Sequence, residues 1–144
     1  MEFRIRNCKI ILKQNREMNK LKNNYKPVLL LMVVHALLVI IWNIVGVWLI
    51  SEGKSAPGPT ATMMAALVFA IFILGYLFFY NKGFKKLFIL IVTIGALFAF
   101  SAIYGAFTKD PALWPSEFWR YTGIVVNSIG VLGFLIALNK SIKK

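Results

Sequence analysis

The sequence is poor in the side chains from which most catalytic and metal sites are built. Its 144 residues include one cysteine, one histidine and five acidic residues. A single thiol, Cys8, excludes an internal disulfide and a paired-cysteine redox centre. A single histidine, His35, excludes bis-histidine haem ligation, and zinc or di-iron sites need several His, Cys or carboxylate ligands within reach of one another. We therefore expect no catalytic residues, no metal and no cofactor, and we predict that the protein is not an enzyme.

Charge is also missing from four long stretches of the chain. These apolar runs cover residues 28–50, 61–80, 87–107 and 118–138, and the one charged residue in any of them is Arg120. As a helix, a run of about 20 residues matches a hydrocarbon core of about 30 Å. A span in hydrocarbon must pair its own backbone groups, and these runs do not alternate polar with apolar residues as barrel strands do. Each run is therefore predicted to be a transmembrane helix.

The overall composition supports the same fold class. Hydrophobic residues make up 59% of the chain and charged residues 15%, and a water-soluble globule of this size has too little interior to hide that much apolar surface. We predict an all-α integral membrane protein with a four-helix transmembrane bundle of two helical hairpins. Residues 28–144 form this domain, and residues 1–27 form a basic cytoplasmic N-terminal segment.

The basic residues give the predicted orientation. The net charge is +12, and of the 17 lysines and arginines eight precede Pro27, three lie in residues 81–86 and three follow residue 138. With four spans these segments share one side, which the positive-inside rule assigns to the cytoplasm. Both termini are thus predicted to be cytoplasmic, in a bacterial inner (plasma) membrane, with anionic lipid headgroups as partners at that face. Because the charge sits at the ends of apolar runs, we predict no nucleic-acid binding.

A similar lysine-rich motif follows two of the apolar runs, as YNKGFKK from Tyr80 and as LNKSIKK ending at Lys144. Two explanations stay open. Any helix that runs inward favours lysine at its C-terminal end, because of the helix dipole and the headgroups. Alternatively, a helical hairpin was duplicated, since a shift of about 58 residues aligns Gly75 with Gly133 and Asn81 with Asn139.

Several residues are predicted to mark the ends of helices. Pro27 suits a first helical turn, Thr60 and Ser116 are expected N-caps of the second and fourth spans, and Asp110 with the following proline predicts a short helical turn. The leader before Pro27 mixes basic with apolar residues. It is either an amphipathic helix on the inner leaflet or a solvated tail.

Three polar side chains inside the apolar runs form a candidate intramembrane site: His35, Asn43 and Asn127. An ionisable residue within a span is a functional hypothesis by default, and Trp42 shares the helix face of His35. The alternative is structural, with His35 hydrogen-bonded to a neighbouring helix. No Asp or Glu lies inside a run, which argues against proton-coupled four-span multidrug transporters.

Small residues recur at helical spacing in the last two runs. Such faces let helix backbones approach closely, so they predict close packing within the bundle, with a seam between protomers as the alternative. In the fourth run the stripe consists of Gly123, Gly130 and Ala137, and in the third run the pairs are Gly95 with Ala99 and Ser101 with Gly105.

The segment before the fourth run is rich in aromatic residues, namely Trp114, Phe118, Trp119 and Tyr121. Aromatic residues at this depth are typical of an interface belt, and a binding lip is the alternative. Glu117 and Arg120 are three residues apart, so we expect an ion pair.

These observations predict a small multi-pass membrane protein without enzymatic activity that acts through helix–helix or partner contacts, in an accessory, assembly or immunity-type role. Its partner would be another membrane protein or further copies of the chain. The alternative function is a small oligomeric transporter or channel, with His35 and Asn43 lining the path.

Overall fold

The computed structural model of the chain describes the backbone of residues 2–142 and, before Lys22, only some of the side chains. Within this part of the chain all regular structure is helical. The helices are α1 (Glu2–Ser51), α2 (Met63–Asn81), α3 (Lys85–Thr108) and α4 (Glu117–Ile142), with a short 3₁₀ turn at Pro111–Leu113. The predicted all-helical class is confirmed.

Each of the four helices is long and apolar enough to cross a membrane, over Lys22–Ser51 in α1 and over the whole of α2, α3 and α4. Large apolar side chains cover their outer faces, as at Leu74 (68% exposed), Ile71 (66%) and Leu97 (63%). Water would leave this surface unfavourably hydrated, whereas lipid chains match it. The helices therefore indicate a multi-pass membrane protein.

Around the bundle the helices follow the order α1, α2, α3, α4. Helix α1 packs against α2 and α4, α3 packs against the same two helices, and α1 barely touches α3 across the diagonal. The seam between α2 and α3 is the loosest of the four. Residues 52–62 and 109–116 connect helices at one end, called the loop end below, and residues 82–84 connect α2 to α3 at the opposite turn end.

The small stripe of α4 packs inside the bundle, against α1. A Cβ atom placed on Gly130 would lie 2.7 Å from His35 Nδ1, and one on Gly133 would lie 2.8 Å from Met32 Sδ. Real Cβ atoms do not approach other atoms so closely, so glycine is what lets these helices touch. The predicted use of the stripe for packing within the bundle is confirmed.

The two small pairs of α3 have different roles. Gly95 and Ala99 are buried, and Gly95 faces the Tyr76 hydroxyl and the end of Met32. For Ser101 and Gly105 the packing prediction is wrong. A Cβ on Gly105 would meet only the side chain of Lys109, at 3.7 Å. No other helix approaches the α3 backbone at Gly105, which borders the space near the loop end.

The start of the first helix also differs from the prediction. Pro27 lies inside α1 rather than in its first turn. A proline in a helix interior leaves the carbonyl four residues earlier without its usual donor. That carbonyl belongs to Asn23, and the carbonyls on either side of it accept from other helices: the Tyr80 hydroxyl donates to the Lys22 carbonyl (3.0 Å), and Lys140 Nζ donates to the Asn24 carbonyl. These two bonds fasten α2 and α4 to α1 just before the proline.

The leader continues α1 as helical backbone from Glu2. Its proposed amphipathic character rests on apolar side chains that, except for Leu12 and Met18, lie outside the described residues. Of the two described ones, Leu12 is 62% exposed, and Met18 packs against Gly83, whose φ of +71° forms the tight turn between α2 and α3.

The other helix ends agree with the sequence with one exception. The side chain that caps α2 belongs to Thr62, which accepts from the Ala65 N–H at 3.1 Å, and not to Thr60. Helix α4 begins directly after Ser116, and the Asp110 carboxylate accepts from the backbone N–H two residues on, at 2.9 Å. The cap falls two residues later because α2 itself begins at residue 63.

Candidate functional site

A cavity of about 320 Å³ opens among the four helices at the loop end. All four helices and both long connections contribute to its wall. The residues that matter for its chemistry are Trp42, Asn43, Ser101, Gly105, Lys109, Trp114, Arg120 and Asn127. Ligand sites commonly measure roughly 300–1,000 Å³, so this cavity has room for a small molecule or a headgroup.

The floor of the cavity contains Asn127 from α4, with Val39 and Phe69 beside it. The Asn127 amide donates to the Gly123 carbonyl one turn earlier (2.8 Å), and its Oδ1 lies 3.4 Å from His35 Nε2. Asn127 is therefore held from both sides. It presents a fixed polar surface at the inner end of the cavity.

His35 lies directly behind that floor and does not line the cavity. It is fully buried, and its ring packs edge-to-face against Phe69 at 5.7 Å. The ring also lies close to Gly130, whose lack of a side chain leaves room for it. Because an amide oxygen only accepts, Nε2 carries the proton of the bond to Asn127. Nδ1 has no hydrogen-bond partner among the described residues. The sequence hypothesis linked His35 to Asn43, whereas the structure pairs it with Asn127.

Asn43 lines the cavity and also fastens its wall. Its Nδ2 donates to the Val39 carbonyl at 2.8 Å, and its Oδ1 accepts from the Thr62 backbone N–H at 3.0 Å. The second bond ties α1 to the first residue before α2. This side chain, 5% exposed, positions the connection that forms one rim of the cavity.

Two cationic side chains stand at the mouth, Lys109 and Arg120. Arg120 forms the expected pair with Glu117 (2.7 Å), and its guanidinium lies over the Tyr121 ring at 5.2 Å. Its side chain is only 17% exposed, and its buried Nε–H has no acceptor among the described residues. Because Glu117 balances the Arg120 charge, the mouth offers the positive charge of Lys109 and, at Arg120 Nε, a donor without a partner among the described residues.

The aromatic residues of the loop end split into two groups. Trp114 lines the cavity, and Trp119 packs edge-to-face on Trp42 at 5.7 Å. Phe118 and Tyr121 are 68% and 53% exposed, as an interface belt requires.

Sequence reasoning singled out Asn43 and Asn127 but missed much of the cavity wall. Lys109 and Arg120 lie in or next to a connection that the sequence analysis interpreted as a membrane-interface region. Gly105 was interpreted as a packing residue. Positive charge flanking a small-residue face was the available signal. Within residues 2–142, where described, no three His, Cys, Asp or Glu side chains stand together as metal ligands would.

Comparisons with known protein families, with curated proteins and with solved structures find no match for this chain.

Proposed function

We propose that the chain is a small multi-pass membrane protein without enzymatic activity that works by binding an amphipathic molecule in the loop-end cavity. The cavity is the observation that carries this proposal. We propose that this binding serves an accessory, assembly or immunity-type role. The partner in that role is another membrane protein or further copies of the chain.

The lining of the cavity defines the chemistry of its occupant. Lys109 and Arg120 favour an anionic or hydrogen-bond-accepting headgroup, and the buried Arg120 Nε–H supplies a donor. Below them, Phe69, Phe98 and Val126 present apolar surface. An occupant with a charged head and a short apolar tail satisfies both regions, because an unpaired polar group would be costly against these three apolar side chains.

The proposed orientation puts the loop end outside the cell. Lysine placement at the turn end and in both termini supports cytoplasmic termini through the positive-inside rule. In this orientation, in a bacterial plasma membrane, the cavity receives its occupant from the extracytoplasmic side or from the outer leaflet, through the loose seam between α2 and α3.

The test uses a permanently charged amphipathic probe, 6-bromohexanesulfonate, and the full chain in detergent. Bromine quenches tryptophan fluorescence on contact, and Trp42 and Trp114 line the cavity. Replacing the outward-facing Trp48 with Phe removes the main background signal. We expect saturable quenching that unbrominated hexanesulfonate reverses.

A matched pair of variants locates the binding. Gly105→Leu adds bulk to the cavity wall where only the Lys109 side chain is near, so it should weaken quenching at least fivefold without displacing a helix. Tyr104→Leu, at a neighbouring position that is 71% exposed, should leave quenching unchanged. Quenching that is linear in probe and equal in both variants would reflect partition into the micelle and would refute the proposal.

The second candidate function is transport through an oligomer. The position of the His35–Asn127 contact supports it, since this contact closes the inner end of the cavity and its opening would extend the path. Beyond this contact the interior of the bundle is filled by Met32 and Val28, both fully buried. Transport predicts protein-dependent uptake of hexanesulfonate into proteoliposomes that His35→Ala changes severalfold, whereas binding alone predicts none.

A further inference from the structure

A second, smaller cleft lies at the turn end of the bundle, far from the loop-end cavity. It measures about 20 Å³ and is lined by Lys22, Tyr25 and Lys85 together with the rings of Phe79, Tyr80 and Phe88. The wall of the cleft is mainly apolar, and two cations and one buried hydroxyl belong to the residues that line it. Its interpretation does not depend on the function proposed above.

Tyr25 is the unusual member of this cleft. It is 4% exposed, and its ring packs edge-to-face on Phe88 at 6.0 Å while Lys85 Nζ stands 5.7 Å from the ring centroid. Its hydroxyl is buried and has no hydrogen-bond partner among the described residues. A buried hydroxyl without a partner is unfavourable, so an acceptor atom delivered by a ligand would stabilise the site. The nearby Tyr80 hydroxyl is already used, since it donates to the Lys22 carbonyl.

The start of α3 adds a second electrostatic reason for an anion. The helix begins at Lys85, its first turn contains no acidic residue, and the N-cap Phe84 gives no side-chain hydrogen bond. The N-terminus of a helix carries partial positive charge and free N–H groups, which favour anions and disfavour lysine. Lys85 and Lys86 therefore increase an unfavourable charge that a bound anion would neutralise.

We propose that this cleft binds the phosphate group of an anionic phospholipid. The Tyr25 hydroxyl donates to one phosphate oxygen, and Lys22 and Lys85 balance the charge. A volume of this order admits about one oxygen-sized atom, so the rest of the phosphate lies at the bundle surface. Lipid headgroups occupy that level at the end of a transmembrane bundle, which makes a lipid the source of the phosphate.

The experiment measures lipid retention by the full chain with native mass spectrometry. The protein in mild detergent is titrated with phosphatidylglycerol, with phosphatidylcholine and, separately, with inorganic phosphate. We expect one tightly held phosphatidylglycerol per chain, weak retention of phosphatidylcholine and no competition by millimolar inorganic phosphate.

Three variants test the geometry. Hydrogen bonds to charged groups are strong enough that losing one weakens binding about tenfold, so Lys85→Gln and Tyr25→Phe should each lower the phosphatidylglycerol affinity by about that factor. Lys86→Gln removes the same charge from the adjacent, exposed residue and should change the affinity less than about twofold. Because the Tyr25 hydroxyl has no hydrogen-bond partner among the described residues, Tyr25→Phe should not lower the melting temperature of the lipid-free protein.

Other results would overturn the assignment. Equal loss in Lys85→Gln and Lys86→Gln would mean diffuse attraction to a basic surface, and full affinity in Tyr25→Phe would remove the hydroxyl from the site. Competition by inorganic phosphate without retention of phosphatidylglycerol would assign the cleft to a free anion.

Discussion

Helix α4 approaches α1 so closely at Gly130 that a single added methyl group should force the helices apart. The new Cβ of Gly130→Ala would lie 2.7 Å from His35 Nδ1 and 2.8 Å from its Cε1, where ordinary contacts begin near 3.4 Å. The gap must therefore widen by about 0.7 Å. The His35 ring cannot turn away easily, because Phe69 packs on it and Asn127 holds its Nε2.

Overpacking of this kind costs about 1–3 kcal/mol, and the better helix propensity of alanine returns at most about 1 kcal/mol. We expect a net destabilisation of about 1–2 kcal/mol, which lowers the ratio of folded to unfolded protein by about 5- to 30-fold. Reversible unfolding in mixed micelles, followed by tryptophan fluorescence, measures this ratio.

Gly123→Ala is the matched control, since it makes the same change on the same stripe. Its Cβ would meet the Trp42 ring at 3.7 Å, an ordinary contact, so stability should change by less than about 0.5 kcal/mol. In a His35→Ala background the cost of Gly130→Ala should vanish, because the colliding ring is gone. Equal stability of Gly130→Ala and Gly123→Ala would refute the close contact between α1 and α4.

Two further substitutions test neighbouring contacts by the same unfolding measurement. Gly133→Ala brings a Cβ to 2.8 Å from Met32 Sδ, but a flexible methionine can move, so we expect a cost below about 1 kcal/mol; a cost above that of Gly130→Ala would show that Met32 is rigid. Asn43→Ala leaves the Thr62 N–H without its acceptor and should cost about 1–3 kcal/mol, whereas Asn81→Ala at the exposed end of α2 should cost little.

The sequence was sufficient to predict the four helices because a lack of charge over some 20 residues has one physical solution in lipid. It was less informative about where α1 begins. Proline normally breaks a helix, but α1 continues through residue 27, where Tyr80 and Lys140 of other helices bond to the nearby Lys22 and Asn24 carbonyls. Such tertiary support cannot be read from the local sequence.

The candidate site was predicted only in part for a related reason. Polar residues within apolar runs are conspicuous, so His35, Asn43 and Asn127 could be singled out. Their pairing could not, because it depends on the rotation of each helix about its axis. Small residues are more ambiguous still, because the same spacing of small residues serves two purposes. Gly130 packs against the His35 ring, whereas Gly105 lines the loop-end cavity.

Four helices that each cross the bilayer put both chain ends on one side and the loop end on the other, and labelling with a membrane-impermeant maleimide tests this most directly. The natural Cys8 reports on the N-terminal segment; Ser141→Cys and Ser55→Cys, each in a Cys8→Ser background, report on the end of α4 and on the first connection. With cytoplasmic termini, Cys8 and residue 141 should react only in inside-out vesicles, and residue 55 only from the outside of intact cells. Labelling of Cys8 and residue 141 from opposite sides would contradict the four-span bundle.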